Sequence, residues 1–448
     1  MADRHFHFGQ ALLPDGWADE VRVTVDEAGW IEHVAAGQPA EAGDEHAAVA
    51  LPGLPNLHSH AFQRGMAGLA EVVGHGPDSF WTWRELMYRF VGQMTPDQLL
   101  AIAAMAYVEM LETGFIRVGE FHYLHHDRDG AAYSDPAAMS RAIVEAARET
   151  GIALTHLPVF YAQGGFGGQA PGEAQRRFLH DVDGFARLVE ALGPVVANLP
   201  DAVLGVAPHS LRATTGEQLR AVAALSPGPV HIHIAEQEKE VADCLAWSGA
   251  RPVDWLLDNA PVGPEWCLVH ATHVTPDEAR RMREAGVVAG LCPITEANLG
   301  DGIFPAEQFG GAIGVGSDSN VLIDATEELR LLEYGQRLAR RRRNLFAGPG
   351  GSTGGALYRA ALAGGGQALG AVSAIAAGPA DFVTLDMDHV SLAGRRGDAI
   401  LDGLIFAAGS RAIDGVWRRG RQVVRGGRHV ERDRIAARYR RTLKDLLG

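Results

Sequence analysis

The chain has little cysteine, no long apolar run and no surplus of positive charge. Only Cys244, Cys267 and Cys292 occur in 448 residues. Three cysteines cannot all pair with one another, and their scatter gives neither a disulfide framework nor a Cys-x-x-Cys zinc knuckle. A reducing cytoplasm is therefore expected. The N-terminus reads Met-Ala-Asp-Arg-His with no apolar segment behind it, so no signal peptide is expected. No stretch approaches the roughly 18 apolar residues that a membrane helix needs. A formal charge of −15 argues against nucleic acid and membrane as partners. The local exception, Arg340–Arg343, reads as a solvated helix surface or a subunit contact. Heptads and internal repeats are also missing.

What the chain does have is a large apolar share, 47% hydrophobic against 21% charged, as a sizeable core requires. Val21, Val23 and Val25 alternate, Asp26-Glu27-Ala28-Gly29 turns the chain, and Trp30 to Val34 continues it. The pattern returns at Asp381 to Leu385 and Val416 to Val424. Residues 1–52 and 372–448 therefore predict one small β-sandwich domain built from both ends, with a charged helix from about Asp433. Between them, strand-like segments at 48–57, 115–121, 152–160, 203–209, 229–235, 266–271, 287–292 and 312–317 alternate with helical ones. The helices are expected near 96–113, 136–150, 174–192, 215–225, 251–258 and 276–285, with Pro96, Pro136 and Pro276 close to helix starts. Eight such strands predict an α/β fold, a (β/α)8 barrel over 53–371, in preference to an open sheet. The long connection after the first strand carries Phe80-Trp81-Thr82-Trp83-Arg84-Glu85, which reads as a lid or pocket wall. Glycines at 348–355 and 364–366 lack the strand–Gly-x-Gly-x-x-Gly–helix context of a dinucleotide site and read as turns and close helix packing.

The chemistry-bearing residues end these apolar runs. His58 and His60 close the first, His233 the fifth with Glu236 three residues on, His270 the sixth and Asp318 the eighth. The C-terminal ends of the strands are where such a barrel keeps its active site. Residues i and i+2 of a strand point to one side, so His58 and His60 can converge on one ion, with His233 and Asp318 completing the ligands. His231 faces the same side as His233 and is the rival ligand. Zinc and iron(II) accept imidazole and carboxylate, and a catalytic site leaves a position open for water, whose pKa falls to about 7. Glu236, beyond the ligands, suits proton transfer to a leaving nitrogen. His270 suits orientation of the nucleophile or stabilisation of the tetrahedral intermediate.

This order of residues resembles the amidohydrolase superfamily, specifically its one-metal aminohydrolase branch. Two-metal members use a lysine at the fourth strand, where this chain has Gly205-Val206-Ala207-Pro208-His209-Ser210. The segments Pro55 to Gly65, Phe80 to Glu85, Gly119 to Tyr123 and Ala207 to Arg212 resemble the formimidoylglutamate deiminase family over nearly the whole chain. That resemblance implies one divalent ion, zinc or alternatively iron(II), with His58, His60, His233 and Asp318 as ligands and Glu236, His270 and Asp318 as catalytic residues. It implies hydrolysis of N-formimidoyl-L-glutamate to N-formyl-L-glutamate and ammonia, a step of histidine breakdown, and a homodimer. Two substrate carboxylates call for guanidinium and hydroxyl donors. Gln63, Arg84, Tyr123, His209 and Arg212, all expected in strand-end loops, are the candidates. The rivals are a deaminase of a purine or pyrimidine such as guanine or cytosine, a halide- or amide-releasing hydrolase, and a non-catalytic barrel stabilised by its metal. Glu236 and His270, which a structural ion does not require, weigh against the last.

Overall fold

The computed structural model describes residues 3–72 and 80–448. Met1 and Ala2 of the expected N-terminal β region lie outside the described residues, as do residues 73–79 of the connection before the aromatic segment.

Parallel strands in chain order build the barrel: Leu54–Ser59, Phe115–His122, Ala153–Phe160, a fourth in two pieces (Val203–Leu204 and Ala207–Pro208), Val230–Ile234, Trp266–His270, Val288–Leu291 and Ile313–Val315. Strands one to four form one sheet and five to eight another. Parallel bridges close them into a cylinder, Val206 to Val230 and Ser210 to His233 on one side and Ser59 to Asp318 on the other. Apart from the first piece of the fourth strand these segments are buried along their whole length, as strands covered on both faces must be.

Helices surround the cylinder, and three start with the same device. Thr95, Thr215 and Thr275 each cap a helix (Pro96–Glu112, Gly216–Ala223, Pro276–Ala285) in a reciprocal capping box with Gln98, Gln218 and Glu278. Each such cap contributes about 1 kcal/mol. The helix expected at 174–192 spans Val182–Val196, because the Asp181 side chain accepts from the Gly184 N–H and fixes the start there. The helices Phe80–Val91, Glu238–Ser248, Pro293–Leu299, Ala325–Arg340 and Thr353–Leu369 were not anticipated.

The last of these plugs the N-terminal end of the barrel. A Cβ on Gly364 would stand 2.0 Å from the Ile313 carbonyl oxygen, and one on Gly365 2.5 Å from the Pro55 ring. Only bare backbone fits, so the glycine cluster is a packing surface. The plug's terminal carbonyls accept from Thr155 Oγ1 (2.9 Å, to Leu369) and His231 Nε2 (2.7 Å, to Ala368). His231 is thereby committed to the end of the barrel remote from His233.

Both chain ends share a nine-stranded sheet among the described residues. Arg4–Leu13 pairs with Gly16–Val25 and, in parallel, with Glu45–Leu51, which joins Phe382–Leu385 from the other end. The sandwich expected from the two chain ends is built from this one continuous sheet, and Phe6, Val21, Val23, Ile31, Phe382 and Trp417 bury its apolar face together. Arg432–Leu447 is the closing helix.

Candidate active site

Strand ends deliver the predicted residues to one place. His58 lies in the first strand, His60 just beyond it, His233 in the fifth and Asp318 three residues past the eighth, all buried. Backbone hydrogen bonds lock the first and last strands where they meet, His60 N–H to Asp318 O and Asp318 N–H to His58 O, both 2.9 Å. A side-chain clasp reinforces this seam. Asn56 Nδ2 donates to Ser317 Oγ (2.6 Å), Ser317 Oγ donates to Asn320 Oδ1 (2.6 Å), and Asn320 Nδ2 donates to the His60 and Asp318 carbonyls (3.1 and 3.0 Å). The chain needs such support, since Ala235, His270, Asp318 and Asn320 all adopt positive φ (50°, 67°, 43° and 55°). Each such conformation costs of order 1 kcal/mol or more and persists only where its surroundings enforce it.

The donor set fits a divalent ion. His60 Nδ1 lies 2.9 Å from the Phe121 carbonyl oxygen and His233 Nδ1 3.2 Å from that of His209. A carbonyl only accepts, so both Nδ1 atoms donate, and each neutral ring then presents a lone pair at Nε2. These converge with His58 Nε2, 3.2 Å from His60 and 3.0 Å from His233, and with Asp318 Oδ1, 3.2 Å from His60 Nε2. One N–H on His58 cannot satisfy two lone pairs and a carboxylate. A cation can, and the four ligand atoms lie within 4.8 Å of one another. Protonation states agree with metal binding. Burial pushes His58 down to about 3 and lowers His60 and His233. Burial alone would raise the Asp318 carboxyl, yet the surrounding histidines hold it below the usual carboxylate range. The carbonyl partners of His60 and His233 orient rings as outer partners of metal ligands do.

Glu236 and His270 stand beside this cluster without joining it. His270 Nδ1 donates to Glu296 Oε1 (3.3 Å), and its Nε2 is 3.9 Å from both Glu236 Oε1 and Asp318 Oδ2. Burial raises the Glu236 carboxyl, and although burial opposes it, the carboxylates of Glu236, Glu296 and Asp318 raise His270.

A pocket opens onto these groups. The aromatic segment is a helix, not a strand-end loop: Phe80, Trp83, Arg84, Met87 and Tyr88 line the pocket at helical spacing along Phe80–Val91. Arg84 therefore reaches the site from a helix. Its Cζ stacks 4.6 Å over Trp81. Arg177, unnoticed in the sequence, anchors this helix by donating to the Val91, Met94 and His126 carbonyls. Gln63 Nε2 donates to Tyr123 Oη (3.0 Å), and His209 packs against Tyr161, its ring 4.7 Å away. Arg212 is buried, with Nε 3.9 Å from Glu240 Oε2. Arg84 Nε and Arg212 Nε have no hydrogen-bond partner among the described residues.

Sequence reasoning missed Tyr161, Tyr88 and Phe178 in the lining and Glu240, Glu296 and Asp301 around it. Tyr161 directly follows the third strand, and that position was a usable signal. Glu240 and Glu296 sit on short helices after strand ends, where neither spacing nor periodicity marks which carboxylate turns inward.

Comparison with known proteins agrees with this geometry. The model of the amidohydrolase family matches residues 49–423, and that of the N-terminal domain of formimidoylglutamate deiminase HutF matches residues 4–48. A formimidoylglutamate deiminase of Pseudomonas aeruginosa is 50% identical over 447 residues, covering 98% of each chain. The crystal structure of an amidohydrolase from Brucella melitensis superposes with a TM-score of 0.96 at 52% identity, over 99% of this chain and 100% of that one. An adenosine deaminase from Xanthomonas campestris, solved with zinc bound, shares the fold at a TM-score of 0.81 and 21% identity, over 100% and 99% of the two chains.

Proposed function

The chain belongs to the amidohydrolase family, and from that membership we propose that it is a formimidoylglutamate deiminase. It hydrolyses the formimino carbon–nitrogen bond of N-formimidoyl-L-glutamate, giving N-formyl-L-glutamate and ammonia in histidine breakdown. The observation that carries the substrate is the pair of guanidinium groups, Arg84 and Arg212, facing one pocket with Nε–H groups that have no partner among the described residues. A buried donor left unpaired costs about 1–3 kcal/mol, and a ligand carboxylate removes that cost. A flat nucleobase offers no such anion, which disfavours the purine or pyrimidine alternative.

His58, His60, His233 and Asp318 would hold the ion, and their nitrogen and oxygen donors suit zinc or iron(II), with zinc proposed. When bound, such an ion supplies a water activated for attack at neutral pH. Glu236 takes a proton at its carboxylate and returns it to the departing nitrogen, so that ammonia leaves. Its elevated proton affinity supports that exchange near neutrality. His270, its ring held by Glu296, directs Nε2 towards Glu236 and Asp318 and favours negative charge developing at the reacting carbon's substituents. Arg212 and Arg84 pair with the glutamate carboxylates, and Gln63, Tyr123 and His209 fix the chain between them. The three unpaired buried cysteines support a reducing compartment, and the cytoplasm is proposed. A homodimer completes the proposal and is checked by sedimentation. No described helix is long and apolar enough to cross a membrane.

The activity is tested by incubating metal-loaded protein with N-formimidoyl-L-glutamate and measuring ammonia against N-formyl-L-glutamate. Equal yields are expected, and chelation of the ion abolishes both.

A further inference from the structure

We infer that this site carries a second, weaker divalent-ion position, formed by His270, Cys292 and Asp318, whose occupation inhibits the enzyme. The inference rests on the reading of Asp318 as a ligand of the first ion. Ligand atoms from these three buried residues lie within 4.8 Å of one another. Asp318 has one oxygen for each position: Oδ1 faces His58 and His60 (3.5 and 3.2 Å), and Oδ2 faces His270 Nε2 (3.9 Å).

His270 is oriented by the same device as His60 and His233, an acceptor behind its Nδ1. Glu296 Oε1 accepts from Nδ1 at 3.3 Å, which leaves Nε2 to face inward. A carboxylate behind a histidine ring is the arrangement that orients metal-binding imidazoles. Among the described residues no hydrogen bond explains the direction of Nε2, because 3.9 Å to Glu236 Oε1 and to Asp318 Oδ2 is too long for one. Two ligands held about 2.1 Å from a tetrahedral ion stand roughly 3.4 Å apart, so a small side-chain shift turns this gap into a coordination edge.

Cys292 supplies the selectivity. It follows the seventh strand and is fully buried, sharing an apolar cluster with Cys267, Leu57 and Val269, whereas Cys244 contacts Ser248. A thiolate favours zinc or cadmium over magnesium or calcium, and binding releases both the thiol proton and the Nε2 proton that the surrounding carboxylates hold on His270. An ion there takes His270 and Asp318, two groups that the proposed function uses in the reaction. Catalysis must then stop while the first ion stays in place.

The test titrates cadmium into protein already holding one zinc per chain. Wild-type protein is expected to bind one further ion by equilibrium dialysis, to show the ultraviolet charge-transfer absorption of a cadmium thiolate, to retain its zinc and to lose ammonia release. Cys292→Ala and Cys292→Ser should keep basal activity, lack the absorption and bind the second ion at least about ten-fold more weakly, the scale on which even an outer partner alters metal affinity. Cys267→Ala and Cys244→Ala should behave as wild type. No absorption in wild-type protein, or a second ion bound equally well by both Cys292 variants, overturns the inference. Should the protein release no ammonia from N-formimidoyl-L-glutamate, the functional reading fails, while dialysis and absorption still decide the second site.

Discussion

Glu240 faces Arg212 across 3.9 Å, and its other oxygen accepts the Ala235 backbone N–H at 3.1 Å. One carboxylate thus joins the guanidinium that would bind substrate to the strained turn between His233 and Glu236. Glu240→Ala leaves a buried N–H unsatisfied and should lower unfolding stability by about 1–3 kcal/mol in urea titrations. Glu240→Gln keeps an acceptor there but loses the charge. It should recover most of that stability yet still raise KM for N-formimidoyl-L-glutamate. An unchanged KM in Glu240→Gln would show that Arg212 is held by other means.

Glu236→Gln should retain the metal, measured by elemental analysis, and lose at least about 10²-fold in kcat, the scale of general acid–base catalysis. Glutamine is close in shape but cannot carry the proton. Near-normal turnover would transfer that role, with His270 the first group to test.

Arg212→Met removes one charge-assisted pair worth roughly 1.5–3 kcal/mol, so kcat/KM should fall about 10- to 150-fold. Part of the loss should appear in kcat, because binding the remote carboxylate positions the reacting carbon. Metal content should not change, and a fall in bound metal would argue for a structural effect.

Acid should destabilise the fold through buried neutral histidines remote from the ligands. His156, hydrogen-bonded to Ser140 Oγ at 3.0 Å, is pushed down to about 3 by burial. The unfolded chain protonates it near 6.5. Between these values the unfolded state binds more protons, so the stability is complete above about pH 6.5 and falls as pH drops towards 3. His180, lowered to about 4 by burial, acts with the same sign. For His156 the loss between pH 7 and pH 5 is about 2 kcal/mol, and in His156→Gln the fall over that interval should be smaller by this amount. Equal falls in both proteins would contradict the assignment.

The strand-end cluster was readable because each of its residues lies at or just beyond the end of a local apolar run, and the barrel then brings every such end to one rim. His58, His60, His233 and Asp318 needed no long-range information to be noticed. The pocket-wall helix was harder: Phe80, Trp83, Arg84, Met87 and Tyr88 have helical spacing, but a run rich in tryptophan reads equally as a loop. Contacts such as Glu240 to Arg212 and Glu296 to His270 depend on where a short helix lands after its strand, which periodicity does not encode. The start of Val182–Val196 was misplaced for a simpler reason, that the Asp181 cap outweighed an apolar pattern extending upstream.

The central claim is the substrate, and a head-to-head assay of ammonia release tests it most directly. Zinc-loaded protein is offered N-formimidoyl-L-glutamate, guanine, cytosine and adenosine under one set of conditions. The account predicts fast release from N-formimidoyl-L-glutamate and little from the ring substrates. Deamination of a nucleobase with no release from N-formimidoyl-L-glutamate would contradict it.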